Sequence, residues 1–163
     1  MSGRVFVIAD LHFGHAKIAA FRGFESADAH DAAIVEAWNR VVGKRDVVYV
    51  LGDVFRVDRV PDLQGVKKLA PGNHDTRPIS VYAALFSKVQ ACFDFDGCLL
   101  THIPVHESQF ARWRLNIHGH THARSLEDER YVSVSIEHCL RLEPLPLVDL
   151  IQSRLLRAAQ VSL

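Results

Sequence analysis

The chain carries no excess of charge: nineteen lysines and arginines balance nineteen aspartates and glutamates. No overall field therefore draws in nucleic acid or an acidic membrane surface, and an anion must be held by a local site. The expected partner is a small molecule, with no membrane and no strong nucleic-acid binding. Cysteine is scarce. Cys92, Cys98 and Cys139 are odd in number, form no CxxC pair and lie beside apolar residues. That argues against a thiolate metal site and suits reduced core thiols in a reducing compartment. Long apolar runs are missing as well. The N-terminal run Val5-Phe6-Val7-Ile8-Ala9 is too short for a signal peptide's core and far too short to cross a bilayer, so a cytoplasmic location is expected. No repeat, low-complexity tract or Pro/Ser-rich linker divides the chain. With 163 residues, 48% of them hydrophobic, one packed domain over residues 1–163 is expected.

What the chain does have is histidine, ten in all, three of them in the stretch Ile117-His118-Gly119-His120-Thr121-His122. In an extended segment the side chains at i and i+2 leave the same side, roughly 6.5 to 7 Å apart. His120 and His122 would then each be able to hold one of two ions about 3.5 to 4 Å apart. Gly119 would let the backbone approach closely without a Cβ in the way. A solvated loop that happens to be rich in histidine fits the same spacing, and the stretch alone leaves both readings open.

The rest of the chain repeats one arrangement: a short β-branched run, a turn residue, then a group able to bind a metal. Residues 5–9 read as a buried strand and end on Asp10-Leu11-His12. Residues 29–42 place Ala33, Ile34, Ala37, Trp38, Val41 and Val42 at the 3.6-residue period of an amphipathic helix, with Gly43 placed to end it and Trp38 in the core. Residues 47–51 form a second strand, followed directly by Gly52-Asp53. A helix or turn over 60–65 leads to a third strand at 66–69, and Pro71-Gly72 breaks the chain before Asn73-His74-Asp75. A short helix is expected at 80–86, a strand at 89–95, and a tight Asp96-Gly97 hairpin into a strand at 98–101 that exits at His102. Residues 115–117 feed the histidine stretch, 131–136 alternate as a late strand, and 147–156 form a closing amphipathic helix.

Five strand exits thus bear Asp10 and His12, Asp53, Asn73 to Asp75, His102, and His118 to His122. In an α/β fold ligands bind at the carboxyl ends of strands, so parallel or mixed pairing would gather these groups at one edge. A single aspartate after a strand is a common cap or turn residue. Five such exits together point to a site.

In order and spacing, Asp10-x-His12, Gly52-Asp53, Gly72-Asn73-His74-Asp75, His102 and Gly119-His120-Thr121-His122 resemble the signature blocks of the calcineurin-like metallophosphoesterase superfamily. The resemblance runs from Val5 to the Val132-Ser133-Val134 strand. The continuation Phe13-Gly14-His15, Trp38-Asn39 before the second block, and Pro104 after His102 resemble a small bacterial and phage branch made of the catalytic domain alone. The resemblance implies a four-layer α/β/β/α sandwich of two mixed β-sheets flanked by helices. It further implies that Asp10, His12 and His122 hold one ion, that Asn73, His102 and His120 hold a second, and that Asp53 bridges both. His74 would assist the leaving group, with Asp75 orienting it.

The chemistry supports those residue types. Carboxylates, an amide oxygen and imidazoles without thiolates suit borderline ions such as Mn, Fe, Zn or Ni and do not choose among them; two ions are what the resemblance implies, and Mn²⁺ is expected to serve in vitro. Two such ions polarise a phosphoryl group and activate a bridging hydroxide for in-line attack on phosphorus. An imidazole backed by a carboxylate suits a general acid. The expected function is hydrolysis of a small phosphate mono- or diester, a nucleotide among the candidates. His15 is a candidate for substrate contact, and Arg56 and Arg77 are candidate phosphate clamps because guanidinium forks match phosphate oxygens. His118 is expected to support a ligand from behind, and His30, His106 and His138 to be packed or solvated. Residues 22–30, 56–64 and 105–114 are expected to rim the pocket. Two other functions share the fold: a non-catalytic scaffold and a nuclease.

Overall fold

A computed structural model describes the backbone of residues 3–161 and the side chains of residues 3–157. The continuous apolar runs become strands whose alternate residues face two different cores. β1 (Val5–Ile8), β2 (Val47–Val50), β3 (Val66–Leu69) and β4 (Lys88–Val89) are parallel neighbours, and the short β9 (Leu145–Pro146) runs antiparallel to β1. The sheet order is β4-β3-β2-β1-β9. Its outer face carries Phe6, Ile8, Val48, Val50 and Leu69 into one core, where they meet Ile34 and Trp38 of α2 (Ala27–Val41). Its inner face carries Val7, Ala9, Tyr49, Leu51 and Ala70 into the other. A strand buried on both faces has no polar side to show, which is why these segments do not alternate in sequence.

The second sheet has the order β5-β6-β7-β8, built from β5 (Phe93–Phe95), β6 (Cys98–Thr101), β7 (Asn116–His118) and β8 (Tyr131–Ser133). β6, β7 and β8 are parallel, and β5 is antiparallel to β6. Phe93, Cys98, Leu100, Ile117 and Val132 face the first sheet's inner side, joined by Leu147 and Ile151 of α4 (Leu147–Val161). The protein is therefore α/β, with two mixed sheets of five and four strands flanked by helices, a metallophosphoesterase-like arrangement. Burying each large side chain of these cores contributes about 1.5–3 kcal/mol. Trp38, fully buried, also satisfies its indole by donating to the Gln64 carbonyl at 2.9 Å. Among the described residues no helix is long and apolar enough to cross a membrane.

Several expectations need correction. The run 89–95 is not one strand: Lys88–Val89 ends the first sheet and Phe93–Phe95 begins the second. The crossing between them leaves Cys92 exposed, not in the core, whereas Cys98 and Cys139 are buried. Residues 131–136 likewise stop as a strand at Ser133. The chain then crosses back to the first sheet, where Ala9 N donates to Val134 O at 2.9 Å and Ile136 N to Ala9 O at 3.1 Å. That crossing ties the two sheets together directly beneath Asp10. A helix that periodicity did not disclose, α1 (Ala16–Phe21), follows the first metal-capable loop, with His15 Nδ1 capping it by accepting from Ile18 N. The helix expected at 80–86 is α3 (Ile79–Ala83). The Asp96-Gly97 turn is as expected, both residues at positive φ, 50° and 68°, as a two-residue hairpin turn requires.

Candidate metal centre

Every expected ligand leaves the carboxyl end of a parallel strand: Asp10 and His12 after β1, Asp53 after β2, Asn73 after β3, His102 after β6, His120 and His122 after β7. The loops are stitched to one another by main chain. Asp10 N donates to Gly52 O (3.0 Å), His12 N to Asp53 O (2.8 Å), and Gly119 N to His102 O (2.9 Å). The histidine stretch is not extended as its spacing suggested. His118 is the last residue of β7, while His120 and His122 take left-handed φ values of 68° and 51°. Asp10, His12, Asp53 and Phe55 share that conformation at 61°, 50°, 54° and 67°. Non-glycine residues rarely adopt it, and such strain concentrates at functional sites.

These turns bring the side chains together. Ligand atoms of Asp10, His12 and His122 lie within 4.8 Å of one another, and so do those of Asp10, Asp53 and His102. Asp53 stands between the two groups, with Oδ2 3.4 Å from His12 Nε2 and Oδ1 3.4 Å from His102 Nε2. His102 Nε2 and His120 Nδ1 each approach Asn73 Oδ1 to 3.0 Å. Asp10 belongs to both groups, so it lies beside Asp53 at the centre of the cluster. The floor is buried, with Asp10, His12, Asp53 and His102 all at 3% exposure or less. Asn73, His74 and His120 form an open wall.

The cluster fits a metal ion. Both ring nitrogens of His12 are buried without a hydrogen-bond partner, a state that costs about 1–3 kcal/mol per group unless something is ligated there. Burial, reinforced by the nearby Arg22 charge, pushes the His12 pKa down to about 2, which keeps the imidazole neutral as a ligand requires. Burial also lowers His120, and it raises Asp10 to about 6. A cation bound beside Asp10 would favour its charged form.

Sequence reasoning missed the support behind this cluster. Glu137 Oε1 lies 2.9 Å from His122 Nδ1, and the Arg22 guanidinium, 5% exposed, binds the same oxygen. Burial alone would raise Glu137, but the hydrogen bond from His122 and the Arg22 charge hold it down at about 2. The same hydrogen bond raises His122. Arg22 had been expected at the pocket rim, and it lies behind the site instead. No local pattern marks this pair, because 115 positions separate the two residues.

The remaining expected residues divide. His74 is at the open wall, with Nε2 4.0 Å from Asp53 Oδ2 and its side chain 46% exposed. Asp75 does not orient the His74 ring. Its carboxylate accepts from the main-chain amides of Val54, Phe55 and Gly72, pinning the third loop to the second. His15 packs against Phe55 at a 50° tilt with ring centres 4.8 Å apart and lies 5.5 Å from the His12 ring. Arg56 is exposed and engaged by Asp58 at 2.8 Å, so its fork is already occupied. Arg77 is exposed, and it is its main-chain N–H that donates, to Tyr82 Oη. His118 is buried on the outer face of the second sheet and bonds its neighbour's carbonyl, Gly119 O, not a ligand ring. The groove that opens beside His120 and His122, about 280 Å³, is lined by Ile18, Phe21, Thr121, Ala123 and Arg124. The expected rim segments do not form it, and His106 to Ala111 line a separate cavity with Arg130.

Fold and site together define an α/β protein of metallophosphoesterase-like architecture whose buried Asp/His groups could bind metal. A solved Aquifex aeolicus protein of unknown function shares this fold with a TM-score of 0.73 at 19% identity, covering 93% of this chain and 99% of its own. No protein-family model matches the chain. The Gene 66 protein of Mycobacterium phage D29 is 30% identical over 184 aligned positions, spanning 86% of this chain and 92% of the phage protein. The Gene 66 protein of Mycobacterium phage L5 is 30% identical over 156, spanning 71% and 75%. The chain belongs to the family of these mycobacteriophage Gene 66 proteins.

Proposed function

We propose that the protein is a dinuclear metal-dependent hydrolase of phosphate esters, acting on a small phosphomonoester or phosphodiester such as a nucleotide. The observation that carries this reading is Asp53. Nearly fully buried, it presents one carboxylate oxygen to His12 and the other to His102, each at 3.4 Å. One ion would be held by Asp10, His12 and His122, the other by Asn73, His102 and His120, with Asp53 between them. Bound there, ions of Mn, Fe, Zn or Ni would polarise a phosphoryl group and lower the pKa of water beside it.

The protein's own contribution is orientation and proton transfer. Asp53 Oδ1 accepts the His74 main-chain amide at 2.9 Å, which fixes the base of the loop that carries His74. The His74 ring, at the open wall near the second oxygen of Asp53, would give a proton to a departing alkoxide. Hydrolysis of bis(p-nitrophenyl) phosphate by the Mn²⁺-loaded protein tests the reading. Activity lost on chelation and restored by Mn²⁺ is the expected result. Metal-loaded protein inert towards phosphomonoesters, phosphodiesters and cyclic nucleotides alike would overturn it.

A further inference from the structure

We propose that Arg22 and Glu137 are positioning residues that set the tautomer of His122 and selectively strengthen one of the two metal subsites, that of Asp10, His12 and His122. The inference rests on the dinuclear reading above and concerns groups outside the ligand set. Arg22 donates through Nη2 to Asp10 O at 2.7 Å and to Glu137 Oε1 at 2.8 Å, and through Nε to the same carboxylate oxygen at 3.0 Å. Its Nη1 reaches Leu11 O at 3.2 Å and His30 Nε2 at 2.9 Å.

Because a guanidinium has only donors, the direction of every link is fixed. His30 Nε2 must accept, so His30 Nδ1 carries the proton and donates to Asp31 Oδ1 at 2.9 Å. Asp31 Oδ2 in turn accepts the Gly14 amide at 2.8 Å. At the other end, Glu137 Oε1 is a carboxylate acceptor, so His122 Nδ1 must donate to it across 2.9 Å. The His122 lone pair then lies on Nε2, and the ring cannot turn without breaking that bond. A carboxylate behind a ligating histidine fixes its ring and raises its basicity, and losing such a partner typically weakens metal binding 10–100-fold.

The selectivity follows from where the links end. They run from Gly14 through Asp31, His30, Arg22 and Glu137 to His122, and touch Asp10 and Leu11 through their carbonyls. The His122 side chain and the main chain of the Asp10 loop are bound into them, while none of their hydrogen bonds reaches Asn73, His102 or His120.

Calorimetric titration with Mn²⁺ and elemental analysis of the wild-type protein, Glu137→Gln and Arg22→Lys test this. Glu137→Gln keeps the size of the side chain and an acceptor oxygen, and Arg22→Lys keeps the charge. The expected result is two sites in the wild type, and in each variant one site unchanged and one weakened about 10–100-fold. Two sites at wild-type affinity in the variants, or both weakened alike, would overturn the inference. Fewer than two sites in the wild type would instead sink the dinuclear reading. A measurement without substitution stands beside these: nitrogen-15 NMR of the metal-free wild type at alkaline pH should show His122 with its proton on Nδ1, and a proton on Nε2 would refute the assignment.

Discussion

Replacing Gly119 by alanine is the sharpest steric test of the site. A Cβ at that position would lie 2.6 Å from Ala9 Cβ, 2.8 Å from Asp10 Oδ2 and 2.9 Å from Leu51 O. Non-bonded contacts of this kind sit near 3.5–4.0 Å, so a shift of about 1 Å is needed. None of the three neighbours yields easily. Ala9 is fully buried and held through its N–H and its carbonyl by the crossing segment at Val134 and Ile136, and Leu51 O sits 2.8 Å from His102 Nδ1. Asp10 Oδ2 accepts the His120 amide at 2.9 Å. Overpacking a tight interior costs about 1–3 kcal/mol, and in a chain of this size 1 kcal/mol moves the melting temperature by about 2–4 °C. Taking about 2 kcal/mol from that range, Gly119→Ala should melt about 4–8 °C below the wild type when both are metal-free. Since the methyl displaces Asp10 and crowds the support of His102, saturating Mn²⁺ should also raise the variant's melting temperature less than the wild type's. Thermal melts followed by circular dichroism, with and without Mn²⁺, measure both effects. A variant that melts with the wild type in both conditions would refute the close approach of the histidine loop to Asp10.

Two other predictions follow from single side chains. His74→Ala should slow hydrolysis of alkyl phosphate esters by about 100-fold or more while slowing nitrophenyl esters, whose leaving group needs no proton, by less than about tenfold; equal losses in kcat for both would remove His74 as the proton donor. Asp46→Asn should show a pH-dependent cost. The Gly43 amide first, then the Arg4 amide and charge, hold the Asp46 carboxyl below its ordinary 3.8. A depressed carboxyl stabilises the fold above its unfolded pKa and loses that contribution as pH falls through the folded one. The gap in unfolding free energy between wild type and Asp46→Asn, about 1 kcal/mol at neutral pH and read from urea titrations, should therefore close as pH falls below 3.8; a gap constant from neutral pH to below that value would contradict the assignment.

The strands and their exits were legible because they are local. Val5 to Ile8, Val47 to Val50 and Cys98 to Thr101 are apolar runs of strand length, and the group after each needed only parallel pairing to reach its partners. Less legible was anything that depended on where the chain leaves one sheet for the other. Residues 89–95 read as a single run because Val89 and Phe93 are both apolar, yet the two belong to different sheets and only the crossing at Ala91 and Cys92 separates them. Arg22 and Glu137 were illegible for a stronger reason. A buried arginine looks in sequence like an exposed one, and its burial here depends on a carboxylate and two carbonyls that only the tertiary structure delivers.

An aspartate after a strand has two readings, turn residue or ligand, and at this site the two are not alternatives. Six non-glycine residues of the site, Asp10, His12, Asp53, Phe55, His120 and His122, hold left-handed φ values, each at a cost of order 1–3 kcal/mol. Something must offset that strain, and the carboxylates themselves take part. Asp10 accepts the His120 amide, Asp53 accepts the His74 amide, Asp75 accepts those of Val54, Phe55 and Gly72, and Asp31 accepts that of Gly14. Apart from the Asp75–Gly72 bond, which closes a turn within the third loop, each carboxylate satisfies the main chain of another segment, Asp31 doing so from α2, as a cap does within a helix. The ligand cage is thereby assembled by the groups that would use it. Asp10 and Asp53 retain oxygen lone pairs that could serve a cation, whereas the Asp75 carboxylate is spread over three main-chain amides.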